Sequence, residues 1–383
     1  MSKQVLCVFG TRPEAIKLAP VVQALIERGI TPILCSSGQQ RDLTRAALAD
    51  FGLVPDLDLD LMRARQTPEA FVAVALPPLG RAIARVEPRM VIVQGDTATT
   101  LAGALAAAYA RVPLGHVEAG LRSGASDPFP EDLHRRLVAQ AATHHFAPTV
   151  GARGALIREG VDRMAISVTG NPVIDALRWA AARLDENPGL RARVEAELPP
   201  PVRPLVLVTA HRRENHPRMP AIAEAIAALA AAHAIDVVVP VHPNPATHLC
   251  TRLAGIGNVH LVPPLSYFAF VTLLRRARLV LTDSGGVQEE APAFGCPVLI
   301  LRDATERPEG IAAGAARLVG TDPAAIVAAA GVLLMDDDAH AAMAVATLPY
   351  GDGRAAERIA RIVAGLIADP VEGVVAARYP IAA

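Results

Sequence analysis

Aromatic residues make up only 3% of the 383 positions, with a single tryptophan among them. That scarcity argues against a surface that stacks nucleic-acid bases. A charge excess is missing too. The 37 Lys and Arg residues stand against 38 Asp and Glu, a formal net charge of −1, whereas an electrostatic nucleic-acid binder needs a basic face. The four cysteines, Cys7, Cys35, Cys250 and Cys296, are far apart and form no C-x-x-C pair. Reduced, mostly buried thiols in a cytosolic protein are the expected state. The histidines lack metal spacing: His144 and His145 are adjacent, and His211 and His242 have no partner set nearby, so no metal is expected. No apolar run approaches the roughly 20 residues of a membrane span, and the opening MSKQVLCVFG carries no cleavage signal. Two phosphate-binding signatures are also absent. Neither G-x-G-x-x-G after a strand nor G-x-x-x-x-G-K-[ST] occurs, so a dinucleotide cofactor and a P-loop site both lose support.

What the chain has is aliphatic residues in a regular alternation. Hydrophobic residues are 52% of the total, enough for two cores. Short apolar runs at 5–9, 31–36, 90–93, 114–117 and 145–147 are separated, for the most part, by Ala-rich helical stretches. A second set restarts at 205–209 and continues at 237–241, 260–262, 279–282 and 298–301. Strand alternating with helix marks a parallel α/β sheet with right-handed crossovers. Two sets predict two doubly wound domains, 1–170 and 171–353, with a last helix over about 354–383 packing back on the first. The charged and then proline-rich segment 185–204 reads as a surface connection.

In open parallel sheets, ligands bind beyond the carboxyl ends of the strands, so the polar residues placed there are the candidates. Asp96 follows VIVQG, Glu118 follows GHV, and His211 follows VLVTA, while Glu131 comes shortly after Glu118. Carboxylates sharing one space raise one another's pKa, which suits proton transfer near neutral pH. The plain alternatives are a helix N-cap for Asp96 and a solvated charge run for His211 with Arg212, Arg213 and Glu214. Over 279–309 a strand runs into Asp283-Ser284-Gly285-Gly286 and then a helix. That arrangement presents backbone N–H groups and a positive helix end to an anion, although a glycine turn alone would read the same way. Arg12, Lys17, Arg212, Arg213, Arg302 and Arg307 stand near the same edges and could complete a diphosphate pocket.

Ten segments taken together resemble one known family. They are GTRPEAIKLAPV (10–21), QGDTATTLAGALAA (94–107), GHVEAGLRSG (115–124), TGNPVIDAL (169–177), VTAHRREN (208–215), VHPNP (241–245), TDSGGVQEEAP (282–292), RDATERPE (302–309), VGTD (319–322) and PYGDG (349–353). They span essentially the whole chain and are similar to those of the bacterial non-hydrolysing UDP-N-acetylglucosamine 2-epimerases. The resemblance implies a GT-B-like architecture, two Rossmann-like domains with the active site in the interdomain cleft. It also implies a homodimer, no cofactor, and the reversible C2 epimerisation of UDP-N-acetylglucosamine to UDP-N-acetylmannosamine. The route would be elimination of UDP to a 2-acetamidoglucal and re-addition, in the cytoplasm, for cell-surface polysaccharide precursors.

Carried over by position, the resemblance makes Asp96, Glu118, Glu131 and His211 catalytic. Ser284, Gly285 and Gly286 would hold the diphosphate and Glu290 the ribose, with Arg12, Lys17, Phe270 and Arg307 around the UDP-sugar. Gln39 and His242 match positions tied to a second, activating UDP-sugar. The chain departs from the family pattern in Gly38-Gln39-Gln40 for G-Q-H, in Pro130-Glu131-Asp132-Leu133-His134-Arg135 for P-E-E-x-N-R, and at Leu265, where a glutamine is usual. The alternatives are a hydrolysing epimerase, an epimerase of a modified UDP-sugar and, more remotely, a GT-B glycosyltransferase.

Overall fold

A computed structural model describes residues 3–123, 129–200, 202–241 and 249–368. The chain forms two compact units. One runs to Ala176 and resumes at Tyr350; the other is Leu177–Pro349.

The first unit is built on seven strands: β1 Gln4–Phe9, β2 Thr31–Ser36, β3 Leu57–Asp58, β4 Met90–Gln94, β5 Leu114–Val117, β6 His144–Ala147 and β7 Ile166–Val168. Their order is β3-β2-β1-β4-β5-β6-β7, with every pairing parallel. The second unit holds β8 Leu205–Thr209, β9 Asp236–Pro240, β10 Val259–Val262, β11 Ala277–Thr282, β12 Val298–Ile300 and β13 Ala316–Leu318. These lie in the order β10-β9-β8-β11-β12-β13, again all parallel. Each is a doubly wound α/β sheet, as the alternation predicts.

The central strands read as continuous apolar runs because helices cover both faces; every residue of β4 and of β8 is buried. Three elements missing from the sequence reading are the edge strands β3, β7 and β13, each of two or three residues. A fourth is the helix Pro68–Val86, which contains Pro77 and Pro78. Two mid-helix prolines forfeit backbone hydrogen bonds. Phe71, Ala75, Leu79, Ala82 and Ile83 nevertheless repeat at helical spacing and join one core cluster with Ala98, Leu101 and Ala102. Burial of that stripe outweighs the lost bonds.

The end of the chain closes the first unit through small residues. Asn171 N donates to Tyr350 O at 2.6 Å. Beside that bond Gly170 and Gly351 meet back to back: a Cβ on either would lie within 3.1 Å of the other's Cα, and both have positive φ. The helix Ala355–Ala368 follows, with Ile359, Ala360 and Val363 buried. Its first N–H groups are taken by the Asp175 carboxylate, at 3.2 Å from Ala355 and 2.8 Å from Ala356. The part of the last expected helix beyond 368 lies outside the described residues.

Burial raises the Asp175 pKa to about 6, against the pull of those two backbone donors. Between an ordinary carboxylate value near 4 and that of the folded state, the native chain holds a proton that the unfolded chain has lost. The Asp175 contribution is therefore fully present below about pH 4 and is lost as pH rises through about 6. Urea unfolding at pH 4.5 and pH 7 should show a smaller loss of stability with rising pH in Asp175→Asn than in the parent. An unchanged difference between the two pH values would refute this.

Candidate active site

In the first unit the polar residues gather beyond the ends of β1, β4 and β5, where the strand order reverses between β1 and β4. Helix Arg12–Glu27 starts there because Glu14 turns back on its own N-terminus. Its Oε2 accepts from Gly10 N (2.9 Å) and Thr11 N (2.7 Å), as in a capping box. Its Oε1 accepts from Thr97 Oγ1 (2.6 Å) and Thr100 Oγ1 (2.9 Å). Burial pushes the Glu14 pKa upward and these four donors pull it back. The effect is to tie the β1 turn to the β4 turn.

One helical turn further on, Lys17 is buried and its ammonium lies on Glu118 Oε2. The same oxygen accepts from Asn171 Nδ2 at 2.8 Å, and Arg135 Nη2 lies 4.0 Å from Oε1. Arg135 also pairs with Asp96 Oδ2. Lys17, Glu118, Arg135 and Asp96 thus form a row of alternating charge. Glu118 stands at φ +65°, a left-handed conformation that costs a non-glycine residue roughly 1–2 kcal/mol. Asp96 does not cap the helix that follows it: Thr97 does, accepting from Thr100 N at 3.2 Å. The Asp96 side chain is 19% exposed against 3% for Glu118, so of the two it is the more accessible. Glu131 opens helix Glu131–Ala141, four residues before Arg135 and hence on the same helix face. Arg12 N donates to Gln40 Oε1 (3.1 Å), and Gln39 Oε1 accepts from Thr99 Oγ1 (2.8 Å).

The second unit repeats the pattern at its own reversal, between β8 and β11. Asp283, fully buried, is its centre. It accepts from His211 N (3.1 Å), Arg212 N (2.9 Å) and Asn215 Nδ2 (3.0 Å), while Asn215 also donates to Leu301 O at 2.9 Å. His211 keeps its ring 36% exposed, with Nδ1 3.9 Å from Asp283 Oδ1. Ser284 is the N-cap residue of helix Gly285–Ala293, and its side chain makes no capping bond. The helix N-terminus beside it is suited to an anion. Arg307 lies beneath, paired with Glu289 and Glu306, and a Cβ on Gly285 would fall inside its guanidinium. A side chain at 285 would therefore push that guanidinium off its two carboxylates. Glu290 accepts from Tyr267 Oη at 2.9 Å, and its Oε2 would lie 3.7 Å from a Cβ on Gly286. Phe270 is half-buried on helix Tyr267–Arg276. Arg302, expected near the ligand, pairs with Glu214 and Glu306 at 2.8 Å each. His242 lies outside the described residues. Among the described residues no group of three His, Cys, Asp or Glu side chains could hold a metal ion. Burial pushes the thiols of Cys7, Cys35 and Cys296 up to about 12, so they are protonated at neutral pH.

The profile of the UDP-N-acetylglucosamine 2-epimerase family matches residues 23–364, and the curated UDP-N-acetylglucosamine 2-epimerase of Escherichia coli K12 is 45% identical over 364 residues. That alignment covers 93% of this chain and 97% of the relative. The chain belongs to this family. Two solved members overlay it closely. The Neisseria meningitidis UDP-GlcNAc 2-epimerase, bound to UDP-GlcNAc, has a TM-score of 0.91 at 38% identity, covering 94% of this chain and all of that one. The Methanocaldococcus jannaschii enzyme, in complex with UDP-GlcNAc and UDP, gives 0.86 at 32% identity, covering 94% and 99%. The two-sheet architecture is accordingly the GT-B-like one of these epimerases.

The buried charge row makes a prediction of its own. Lys17→Met strands the Glu118 carboxylate and should cost about 3–5 kcal/mol. Glu118→Gln should also destabilise, and the double variant by clearly less than the sum of the two. Urea unfolding of the four proteins checks this, and strict additivity would refute the pairing.

Proposed function

We propose that this epimerase interconverts UDP-N-acetylglucosamine and UDP-N-acetylmannosamine without releasing the sugar, and that both sets of strand-end residues serve one substrate. The observation that carries the reading is the row Lys17–Glu118–Arg135–Asp96: two carboxylates at neighbouring strand ends, each held by a cation. The chemistry asks for such a pair. The C2 proton is not beside a carbonyl, so its removal needs prior help. As the bond from C1 to the UDP oxygen breaks, positive charge at C1 acidifies C2–H. The proton passes to a carboxylate, C1 and C2 become doubly bonded, and UDP stays bound beside the 2-acetamidoglucal. Return of a proton to the opposite face of C2, with UDP oxygen re-adding at C1, inverts the centre. Inversion needs acid–base groups on both faces, and Asp96, Glu118 and Glu131 supply them.

In this reading the departing diphosphate rests on the N–H groups at Ser284, Gly285 and Gly286, with Arg12 and His211 beside it. Arg307 stiffens that turn from beneath, Glu290 takes the ribose hydroxyls, and Phe270 lines the site. Lys17 acts through Glu118. Gln39 and His242 belong to a second UDP-sugar position. The family resemblance extends the proposal to a cytosolic homodimer supplying cell-surface polysaccharide precursors.

Incubation with UDP-N-acetylglucosamine in D₂O, followed by NMR, tests the reaction. Both UDP-sugars should appear with deuterium at C2. Free N-acetylmannosamine would instead indicate the hydrolysing reaction, and no exchange at C2, with UDP released only when an acceptor is added, would indicate a transferase. Asp96→Asn, Glu118→Gln and Glu131→Gln should each lower turnover by roughly 10²-fold or more. Near-parental turnover in any one removes that residue from the mechanism.

A further inference from the structure

Between β4 and the helix Ala98–Tyr109 the chain turns through Gly95 and Asp96, and imidazoles take both carbonyl oxygens of that turn. His116, on β5, has Nε2 2.8 Å from Gly95 O. His134, on helix Glu131–Ala141, has Nδ1 2.9 Å from Asp96 O. A carbonyl can only accept, so each ring presents an N–H: Nε2–H in His116 and Nδ1–H in His134. His116 is fully buried, and burial lowers its pKa to about 4. It is neutral at neutral pH, and its buried Nδ1 has no hydrogen-bond partner. Leaving a bare ring nitrogen in a core costs stability that an aliphatic residue would not. The compensation is on the other side of the ring, at Gly95.

The residue after His134 is Arg135, whose guanidinium pairs with the Asp96 carboxylate. One helix therefore grips Asp96 at both its backbone and its side chain. The next residue is pinned as well: Thr97 N donates to Thr100 Oγ1 at 3.2 Å, and Thr97 Oγ1 to Glu14 at 2.6 Å. Around a largely buried turn that carries the most accessible carboxylate of the row, this is dense anchoring.

We propose that His116 and His134 are positioning residues that clamp the Gly95–Asp96 turn and so present the Asp96 carboxylate to the sugar in one geometry. The inference rests on the reading of Asp96 as a proton-transfer group. A displacement on the order of 1 Å at such a group can cost about 10²-fold in rate. Substrate binding should be spared, because the diphosphate is held by other residues. The mark of the clamp is then a lower kcat at nearly constant KM.

Two substitutions at His134 separate positioning from packing. Asparagine keeps an N–H donor where Nδ1 stands; leucine keeps bulk and removes the donor. His134→Leu should lower kcat about tenfold or more with KM within about twofold, and His134→Asn should stay within about threefold of the parent. Equal loss in the two variants, or no loss in leucine, overturns the clamp. ¹⁵N NMR of histidine-labelled protein reads the tautomers without turnover: protonated Nδ1 in His134 and protonated Nε2 in His116 are expected, and the opposite tautomers overturn the clamp whatever the kinetics. A parent protein that exchanges no C2 proton would refute the proposed function, while the tautomers would still decide whether the clamp exists.

Discussion

The contact on which the polar end of the first unit's sheet depends is the buried pair between Lys17 and Glu118. Taking two charges out of water costs several kcal/mol per ion, and only close geometry with further hydrogen bonds recovers it. Here the recovery is spread over distant parts of the chain. Lys17 comes from the first helix, Arg135 from the helix that follows β5, and Asn171 from the loop after β7. A carboxylate with so many partners has little freedom to move, and its left-handed backbone, at φ +65°, is kept in place by the same contacts.

The second unit solves a related problem with a different residue. Asp283 is buried, and backbone N–H groups at 211 and 212 with the Asn215 amide satisfy it. It thereby fixes the loop after β8 against the turn after β11. Two buried arginines of the same unit, Arg302 and Arg307, are largely neutralised by Glu214, Glu289 and Glu306. They act as scaffolding for the turn more than as loose cations awaiting a ligand.

Much of this was legible in the sequence, for physical reasons that can be named. Central parallel strands are buried on both faces and so announce themselves as apolar runs; a polar residue where such a run stops is conspicuous, as Asp96, Glu118, His211 and Ser284 are. Edge strands of two or three residues, such as β3 and β13, are too short to show a period. The helix Pro68–Val86 was hidden by Pro77 and Pro78, whose local preference is overruled by packing that only tertiary structure reveals. Glu14, Arg135, Asn171 and Asp283 do not show as hubs in the sequence because their role lies in partners about 40 to 80 positions away. The N-cap alternative raised for Asp96 falls to Thr97, whose hydroxyl accepts from Thr100 N.

The meeting of Gly170 with Gly351 carries a consequence for when the enzyme becomes competent. Asn171, which holds Glu118, is itself fixed by a bond from its N–H to Tyr350 O. Nearly 180 residues of chain, including all six strands of the second unit, must leave the ribosome before that partner exists. The carboxylate end of the first sheet is therefore among the first parts of the protein to be made and among the last to be completed. The turn at Ser284, Gly285 and Gly286 is made before that end of the first sheet is closed.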